Sequence, residues 1–206
     1  MTTHLSGPAA PPVMASAMSE LRSATWPVHQ RLEKRLQVRG RFSQADGYRA
    51  HLEGMWGFCA GLEHRLESTG IGDALQDYDA RRKLPLLARD LGTLGLSSAA
   101  LAELPVCRIL PACPDTASAL GCLYVIEGST LGGQTLAPLV HRQLGFNADR
   151  GAAFLTSYGS RVGAMWRAFG SALEAWCRDP ERRMRSVQAA IGTFEALETW
   201  LCGRAS

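Results

Sequence analysis

A predicted helix over residues 117–140 carries glycines where helices usually avoid them. Gly121, Gly128, Gly132 and Gly133 fall within thirteen consecutive residues. Each interior glycine costs a helix roughly 1 kcal/mol relative to alanine, so this cluster needs a physical reason. Either the bare face lets a neighbouring helix approach closely, or a large flat ligand lies against it and contacts the backbone.

His29 is a candidate metal ligand on a predicted first helix. It follows Arg22 by seven residues, so both side chains fall near one face of a predicted first helix. A neutral imidazole is a common ligand of iron, although a lone histidine is more often an ordinary surface or core residue. No His-x-x-x-His or Glu-x-x-His pair predicts a zinc or di-iron centre. The remaining histidines lack comparable context: His4, His51, His64 and His141.

Three stretches together resemble one family. They are residues 21–33 (LRSATWPVHQRLE), 123–134 (LYVIEGSTLGGQ) and 154–169 (FLTSYGSRVGAMWRAF). The first resembles the proximal helix of heme oxygenases and the second their distal helix, with the closest likeness to the bacterial branch found beside bacteriophytochromes. The resemblance spans about residues 18–200. It implies an all-α, single-domain helical bundle with a kinked glycine-rich distal helix.

The resemblance also implies where heme would lie. His29 would bind the iron, and the backbone at Gly128, Ser129, Gly132 and Gly133 would lie over the opposite face. Gly128, Ser129 and Gly132 are the candidate catalytic positions, because a wall without bulky side chains leaves room for oxygen. Mammalian-type members have an aspartate where this chain has Ser129, so the proton route would depend on a hydroxyl, backbone carbonyls and ordered water.

The two propionates of heme must be solvated or paired with cations. The resemblance places Arg22 and Tyr124 beside them and makes Tyr158, Arg161 and Arg167 further candidates for cofactor contacts. The sequence does not decide which arginine serves, and a solvated arginine or a core tyrosine is the alternative at each position.

The implied activity is the cleavage of heme to biliverdin, carbon monoxide and ferrous iron, with O2 as oxidant and heme as both cofactor and substrate. Because no flavin or nicotinamide fingerprint is present, we expect an external electron donor of the ferredoxin or reductase type. Arg81, Arg82 and Lys83 either dock such an acidic donor or form a solvated face. Kinship with the bacterial branch suggests a bacteriophytochrome as the acceptor of biliverdin.

Two other function classes remain open. A non-catalytic heme-binding or heme-delivery protein would use the same His29 and glycine helix without turnover. A non-heme member of the same architecture, such as a thiaminase-like hydrolase or a di-iron oxidase, would use other groups, and Cys122 would then be a nucleophile without a visible base. Glu127 lies in apolar surroundings and is expected to bond to another helix rather than act as a general base.

Composition agrees with one helical domain. The 206 residues include 29 alanines and 27 leucines against 12 valines and isoleucines. The net charge is +3 with acids and bases interleaved, so we expect no nucleic-acid partner. The six cysteines form no Cys-x-x-Cys pair, which indicates reduced thiols, a cytoplasmic protein and no c-type heme attachment.

The chain divides into a predicted disordered tail, residues 1–17, and a helical domain, residues 18–206. We find neither a signal peptide nor a membrane span and expect a soluble protein. Turn and cap signals predict the helix boundaries. The first helix starts at Ser16 or Ser19 and ends near Val38, with a kink at residues 23–27. Further helices cover 43–70, 84–94, 115–145, 149–177 with a break at 158–159, and 179–203.

Overall fold

The computed structural model describes residues 15–203. This range forms helices joined by turns and loops and contains no β-strand. Most of the predicted tail, residues 1–14, lies outside the described residues, whereas Ser16 and Ala17 already belong to the start of the first helix. The helices are α1 (Ala17–Leu36), α2 (Val38–Arg41), α3 (Ala45–Leu66), α4 (Ile71–Ala74), α5 (Tyr78–Arg81), α6 (Leu84–Thr93), α7 (Ser98–Ala102), α8 (Thr116–Leu144), α9 (Ala153–Thr156), α10 (Val162–Trp176) and α11 (Pro180–Gly203), with a 3₁₀ turn at Gly159–Arg161.

The start of α1 is fixed from two directions. The Ser16 hydroxyl accepts a hydrogen bond from the backbone N–H of Ser19 at 3.1 Å. The Glu174 carboxylate of α10 accepts hydrogen bonds from the backbone N–H groups of Ala17 and Met18, each at 2.9 Å. These bonds satisfy donors that a helix leaves free at its first turn, so α10 holds α1 in place.

Helix α1 includes Pro27, so the proline does not end the helix, although it removes a backbone donor. It ends at Leu36, before the predicted limit near Val38, because Gln37 adopts the left-handed conformation with φ 45° and ψ 42°. A helix cannot continue through that conformation, and the chain restarts as the single turn α2.

The glycine-rich helix α8 has the boundaries that the sequence predicted. The Asp115 carboxylate accepts a hydrogen bond from the backbone N–H of Ser118 at 2.8 Å and caps the first turn. Gly145 ends the helix with φ 72°, and its N–H donates to the carbonyl of His141 at 3.0 Å. Between these caps the helix is continuous over 29 residues.

Some predicted boundaries moved. The N-cap of α3 is Gln44 rather than Ser43, because the Ser43 hydroxyl donates to the carbonyl of Gly40 at 2.6 Å. The stretch 149–177 is divided into α9 and α10 by Ser157, whose φ of 44° and ψ of −109° are rare for a residue with a side chain. Single-turn helices such as α2, α4 and α5 show no periodicity for a sequence to reveal.

The long helices pack around α11. Helix α11 runs along α8 over their most extensive contact and also packs along α1, while α3 packs against α6. The backbones of α1 and α8, by contrast, approach each other closely at few positions, and a hydrogen bond between the side chains of Thr25 and Tyr124 connects the two helices. No helix within residues 15–203 has the length and apolar character that a membrane-spanning segment needs.

His51, on α3, makes the free energy of unfolding of the protein depend on pH. Its Nδ1 atom is buried and has no hydrogen-bond partner among the described residues, and its ring packs against Phe42 with centroids 4.9 Å apart. Burial, assisted by the positive charge of Arg41, lowers the pKa of His51 from 6.5 to about 4. The imidazole is therefore neutral in the folded protein at neutral pH.

We expect the free energy of unfolding to decrease as the pH falls from 6.5 towards 4, because the unfolded chain binds a proton that folded His51 does not. The slope approaches about 1.4 kcal/mol per pH unit. Urea denaturation near pH 7 and near pH 5 measures it. The variant His51→Gln has no titrating ring at this position and should lose that part of the slope. An identical pH dependence in the variant would contradict the assignment.

Candidate functional site

A cavity of about 730 Å³ lies between α1 and α8, with α10 and α11 completing its walls. Its volume is within the range of about 300–1,000 Å³ that is usual for small-molecule sites. Helix α1 lines it with Arg22, Trp26, His29 and Glu33, which recur every three or four residues on one face. The cavity therefore occupies the gap where α1 and α8 do not pack together.

His29 lies on the α1 wall with 37% of its side chain exposed. Its ring stacks on Trp26 with centroids 5.9 Å apart and meets the ring of Phe194 edge to face at 5.4 Å. His29 Nε2 lies 3.7 Å from Glu33 Oε1, which is beyond hydrogen-bond distance. The imidazole is thus held by aromatic contacts, and a nitrogen of the ring is free to bind a ligand.

The opposite wall contains bare backbone at two of the glycines. A methyl group added at Gly132 would meet no atom within 4 Å, and one at Gly128 would meet only Cη2 of Trp166 at 3.9 Å. Both glycines line the cavity. This part of α8 can therefore contact a flat ligand through its backbone.

The other two glycines serve helix packing. A methyl group at Gly133 would collide with the backbone carbonyl of Leu155, and one at Gly121 would collide with that of Ser186 on α11. Gly133, predicted as a cofactor contact, does not line the cavity. Helix packing therefore explains Gly121 and Gly133, whereas Gly128 and Gly132 leave bare backbone facing the cavity, as contact with a ligand would require.

This division predicts opposite outcomes for two adjacent substitutions. Gly132→Ala should raise the free energy of unfolding by up to about 1 kcal/mol, since alanine favours helix and the space is open. The added methyl should weaken hemin binding roughly tenfold by occupying the contact surface. Gly133→Ala should instead destabilise the fold by about 1–3 kcal/mol through its collision with Leu155.

Urea denaturation and hemin titration of the two variants measure these effects, each variant serving as the control for the other. Equal stability of the two proteins would show that the packing at residue 133 is looser than described.

Ser129 also lines the cavity, but its hydroxyl is already engaged. It donates to the backbone carbonyl of Ile126, one turn earlier in α8, at 2.7 Å. In this rotamer the Ser129 oxygen can accept a hydrogen bond from water or a ligand, whereas donating one requires rotation of the hydroxyl. The predicted proton route through Ser129 therefore needs a change of hydroxyl orientation.

A buried charged cluster surrounds Glu127 of α8, which does not line the cavity. Glu127 is 1% exposed and accepts hydrogen bonds from Arg81 at 2.6 Å, Lys83 at 3.1 Å and the Tyr158 hydroxyl at 2.6 Å. Lys83 Nζ also donates to the Tyr158 oxygen at 2.7 Å, and Arg81 binds Asp77 through two bonds of 2.8 Å. Burial lowers the pKa of Lys83, and the carboxylate of Glu127 opposes that effect.

This cluster corrects two predictions and confirms a third. Tyr158 does not line the cavity, because its hydroxyl binds Glu127 and Lys83 instead. Arg81 and Lys83 are each 1% exposed and cannot form a docking surface for an electron donor. Glu127 bonds to other helical segments and has no contact with the cavity, as the sequence predicted.

Arg22 is the one cation among the described residues that line the cavity. Tyr124 lines the same cavity; burial raises its pKa, and a hydrogen bond with Thr25 together with the positive charge of Arg22 opposes that rise. Arg167 lines a separate open groove that shares Met18 with the cavity, and Arg161 is exposed in the 3₁₀ turn. The structure thus groups Arg22 and Tyr124 at the site and leaves Arg161 and Arg167 outside its lining.

The aromatic walls were not assigned to the site from the sequence. Trp26 could have been included because it precedes His29 by three residues on the same helix face. Trp166 of α10 and Phe194 of α11 come from distant segments, and no local pattern connects them with His29. Aromatic residues at helical spacing are usual in any helical core, so their sequence context carried no signal.

Comparison with known proteins decides the family. Residues 15–202 match the heme oxygenase family. The chain belongs to the heme oxygenase family. The function of this family is the degradation of heme to biliverdin, and its members bind heme as substrate.

Individual heme oxygenases support this assignment. The curated heme oxygenase of Xanthomonas campestris pv. campestris (strain 8004) is 28% identical over 164 residues, which cover 78% of this chain and 92% of that protein. The NO- and CO-bound heme oxygenase of Neisseria meningitidis has the same fold, with a TM-score of 0.77, 23% identity and coverage of 93% and 92% of the two chains. Heme oxygenase 2 of Chlamydomonas reinhardtii without heme superposes with a TM-score of 0.71 at 17% identity, covering 91% of this chain and 96% of that one. The all-α, single-domain prediction is confirmed.

Proposed function

We propose that this heme oxygenase binds heme between His29 and the bare backbone of α8 and cleaves it to biliverdin, carbon monoxide and ferrous iron. The observation that carries the proposal is one cavity with an imidazole on the α1 wall and exposed glycine backbone, at Gly128 and Gly132, on the α8 wall.

The residues of the cavity fit heme. Heme is flat and largely apolar, and it needs an axial ligand and a partner for its carboxylates. His29 can supply the ligand, and Arg22 can pair with a carboxylate. Because added methyl groups at Gly128 and Gly132 would project into the cavity, only glycine at these positions leaves the full width between the walls.

The proposed roles follow from these positions. His29 would bind the iron, and Arg22 with Tyr124 would pair with the propionates. Gly128 and Gly132 keep side chains away from the space where oxygen would fit, and Ser129 accepts a hydrogen bond there and relays a proton only after its hydroxyl rotates. When bound, heme supplies both the iron that activates O2 and the ring that is oxidised.

Four of the residues that the sequence assigned to the site do not line the cavity. Gly133 sets the approach of α8 to Leu155, and Tyr158 holds Glu127 behind the glycine wall. Arg167 is a second candidate for a propionate, since its groove adjoins the cavity at Met18. Arg161 would need to move from its exposed position to take part.

The co-reactants and partners belong to the same proposal. Oxygen and an external electron donor of the ferredoxin or reductase type are what the reaction requires. The resemblance to the bacterial branch supports a bacteriophytochrome as the acceptor of biliverdin. Free thiols at all six cysteines support a cytoplasmic site of action.

Hemin turnover under air tests the proposal. Hemin is added to the protein with a reductant, and catalase is included to remove free peroxide. A heme oxygenase bleaches the Soret band while a biliverdin absorption grows, and it does neither without oxygen. A persistent Soret band would identify a heme carrier, and a failure to bind hemin would favour a non-heme activity.

A further inference from the structure

Two aromatic side chains enclose the ring of His29 from different directions. Trp26, one turn earlier on α1, stacks on it with an interplanar angle of 24°, while Phe194 of α11 meets it at 81°. Phe194 is 7% exposed and belongs to the hydrophobic core, so its position is fixed by packing. The imidazole thus contacts one nearly parallel ring and one nearly perpendicular ring.

Trp26 is unusual in this pair because half of it faces solvent. Its exposed fraction is 50%, although tryptophan is normally well buried. The hydrophobic core does not include it, yet it lines the cavity beside His29. Core packing therefore does not account for a large indole at this position, and the ring contact that the indole makes is with the imidazole.

The polar neighbour of His29 is a weaker restraint. Glu33 Oε1 lies 3.7 Å from His29 Nε2, and the Glu33 side chain is 66% exposed. An exposed contact at that distance contributes little, because water competes for both groups. The terminal torsion of a histidine has a broad energy minimum, so the ring would otherwise turn easily.

We propose that Trp26 and Phe194 are positioning residues that fix the orientation of the His29 imidazole before any ligand enters the cavity. The purpose of this restraint rests on the proposed function, because a fixed ring presents its nitrogen to iron in one orientation. The restraint itself is a property of the ligand-free protein and can be measured there.

The first experiment uses the ligand-free full-length chain. Relaxation of ¹³C and ¹⁵N nuclei in the His29 ring reports how freely it moves. Trp26→Ala should lower the ring order parameter clearly, and Trp26→Phe should restore most of it by keeping an aromatic face. Trp26 is half exposed, so its removal should leave the fold intact. Phe194→Leu, which keeps a buried apolar side chain, should increase ring motion as well.

A matched control removes an indole elsewhere. Trp176 of α10 is half-buried beneath Arg182, whose guanidinium carbon is 5.6 Å from its ring centre, and it does not line the cavity. Trp176→Ala should leave the motion of the His29 ring unchanged. A change of equal size in this control would show that loss of any indole loosens the fold, and it would overturn the proposal.

The second experiment uses the hemin complex. Electron paramagnetic resonance of the ferric protein should show lines at least twofold broader for Trp26→Ala than for the unmodified chain, with Trp26→Phe close to the unmodified chain. Unchanged line widths and an unchanged ring order parameter in both Trp26→Ala and Phe194→Leu would overturn the proposal. If the unmodified chain bound no hemin, the proposed function would fail, while the ligand-free measurement would still decide whether the two rings restrain His29.

Discussion

Replacing His29 with alanine should reduce heme turnover by more than about 100-fold. Loss of a group that only orients a metal ligand typically costs 10–100-fold, and loss of the ligand itself should cost more. The cavity would remain, because His29 is partly exposed and its removal leaves the apolar walls in place. Hemin should therefore still bind weakly, with an altered Soret band. Turnover and the ferric spectrum measure the effect.

Two controls accompany this variant. Added imidazole should enter the space left by the side chain and restore part of the spectrum. His64→Ala on α3 removes a histidine that is 89% exposed and does not line the cavity, so it should behave like the unmodified chain. Native spectrum and turnover in His29→Ala would show that another residue binds the iron.

Replacing Glu127 with alanine should lower the free energy of unfolding by about 3–5 kcal/mol, which is the usual effect of breaking a buried ion pair from one side. The substitution would leave the Lys83 ammonium and the Tyr158 hydroxyl buried without their carboxylate partner. Arg81 would keep only its bonds to Asp77 and to the carbonyl of Met165. Urea denaturation measures the loss.

An exposed pair provides the comparison. Arg49 and Glu53 of α3 form a bond of 2.8 Å with side chains 45% and 21% exposed. Glu53→Ala should change the free energy of unfolding by no more than about 1 kcal/mol, because water screens the pair. Glu127→Gln keeps the shape and one acceptor and should fall between the two. A similar small effect at both sites would mean that solvent reaches the buried cluster.

Local signals in the sequence were enough to place the two helices of the site. Asp115 marks the start of α8 because a carboxylate satisfies the first N–H groups of a helix, and Gly145 marks its end because glycine accepts the left-handed conformation there. The spacing of Arg22 and His29 put both on one face of α1, and both line the cavity. Such features depend on neighbours within a few turns.

Features that depend on distant partners were not accessible in the same way. Lys83 is buried because Glu127 lies beside it, and 44 residues separate the two in sequence. Gly132 and Gly133 are adjacent and look equivalent, but only the second meets the backbone of Leu155. Which glycine faces the cavity and which faces a helix follows from how α9 docks on α8, and no local pattern in the sequence indicates that docking.

The small number of close backbone approaches between α1 and α8 has a consequence for ligand binding. Both helices make their most extensive contacts with α11, so the packing of each helix against α11 largely sets the distance between them. A molecule that touched both His29 and the glycine face would connect the two helices directly. Because such a molecule would bind only the folded chain, heating should then unfold the protein at a higher temperature, and the increase should grow with the concentration of free ligand.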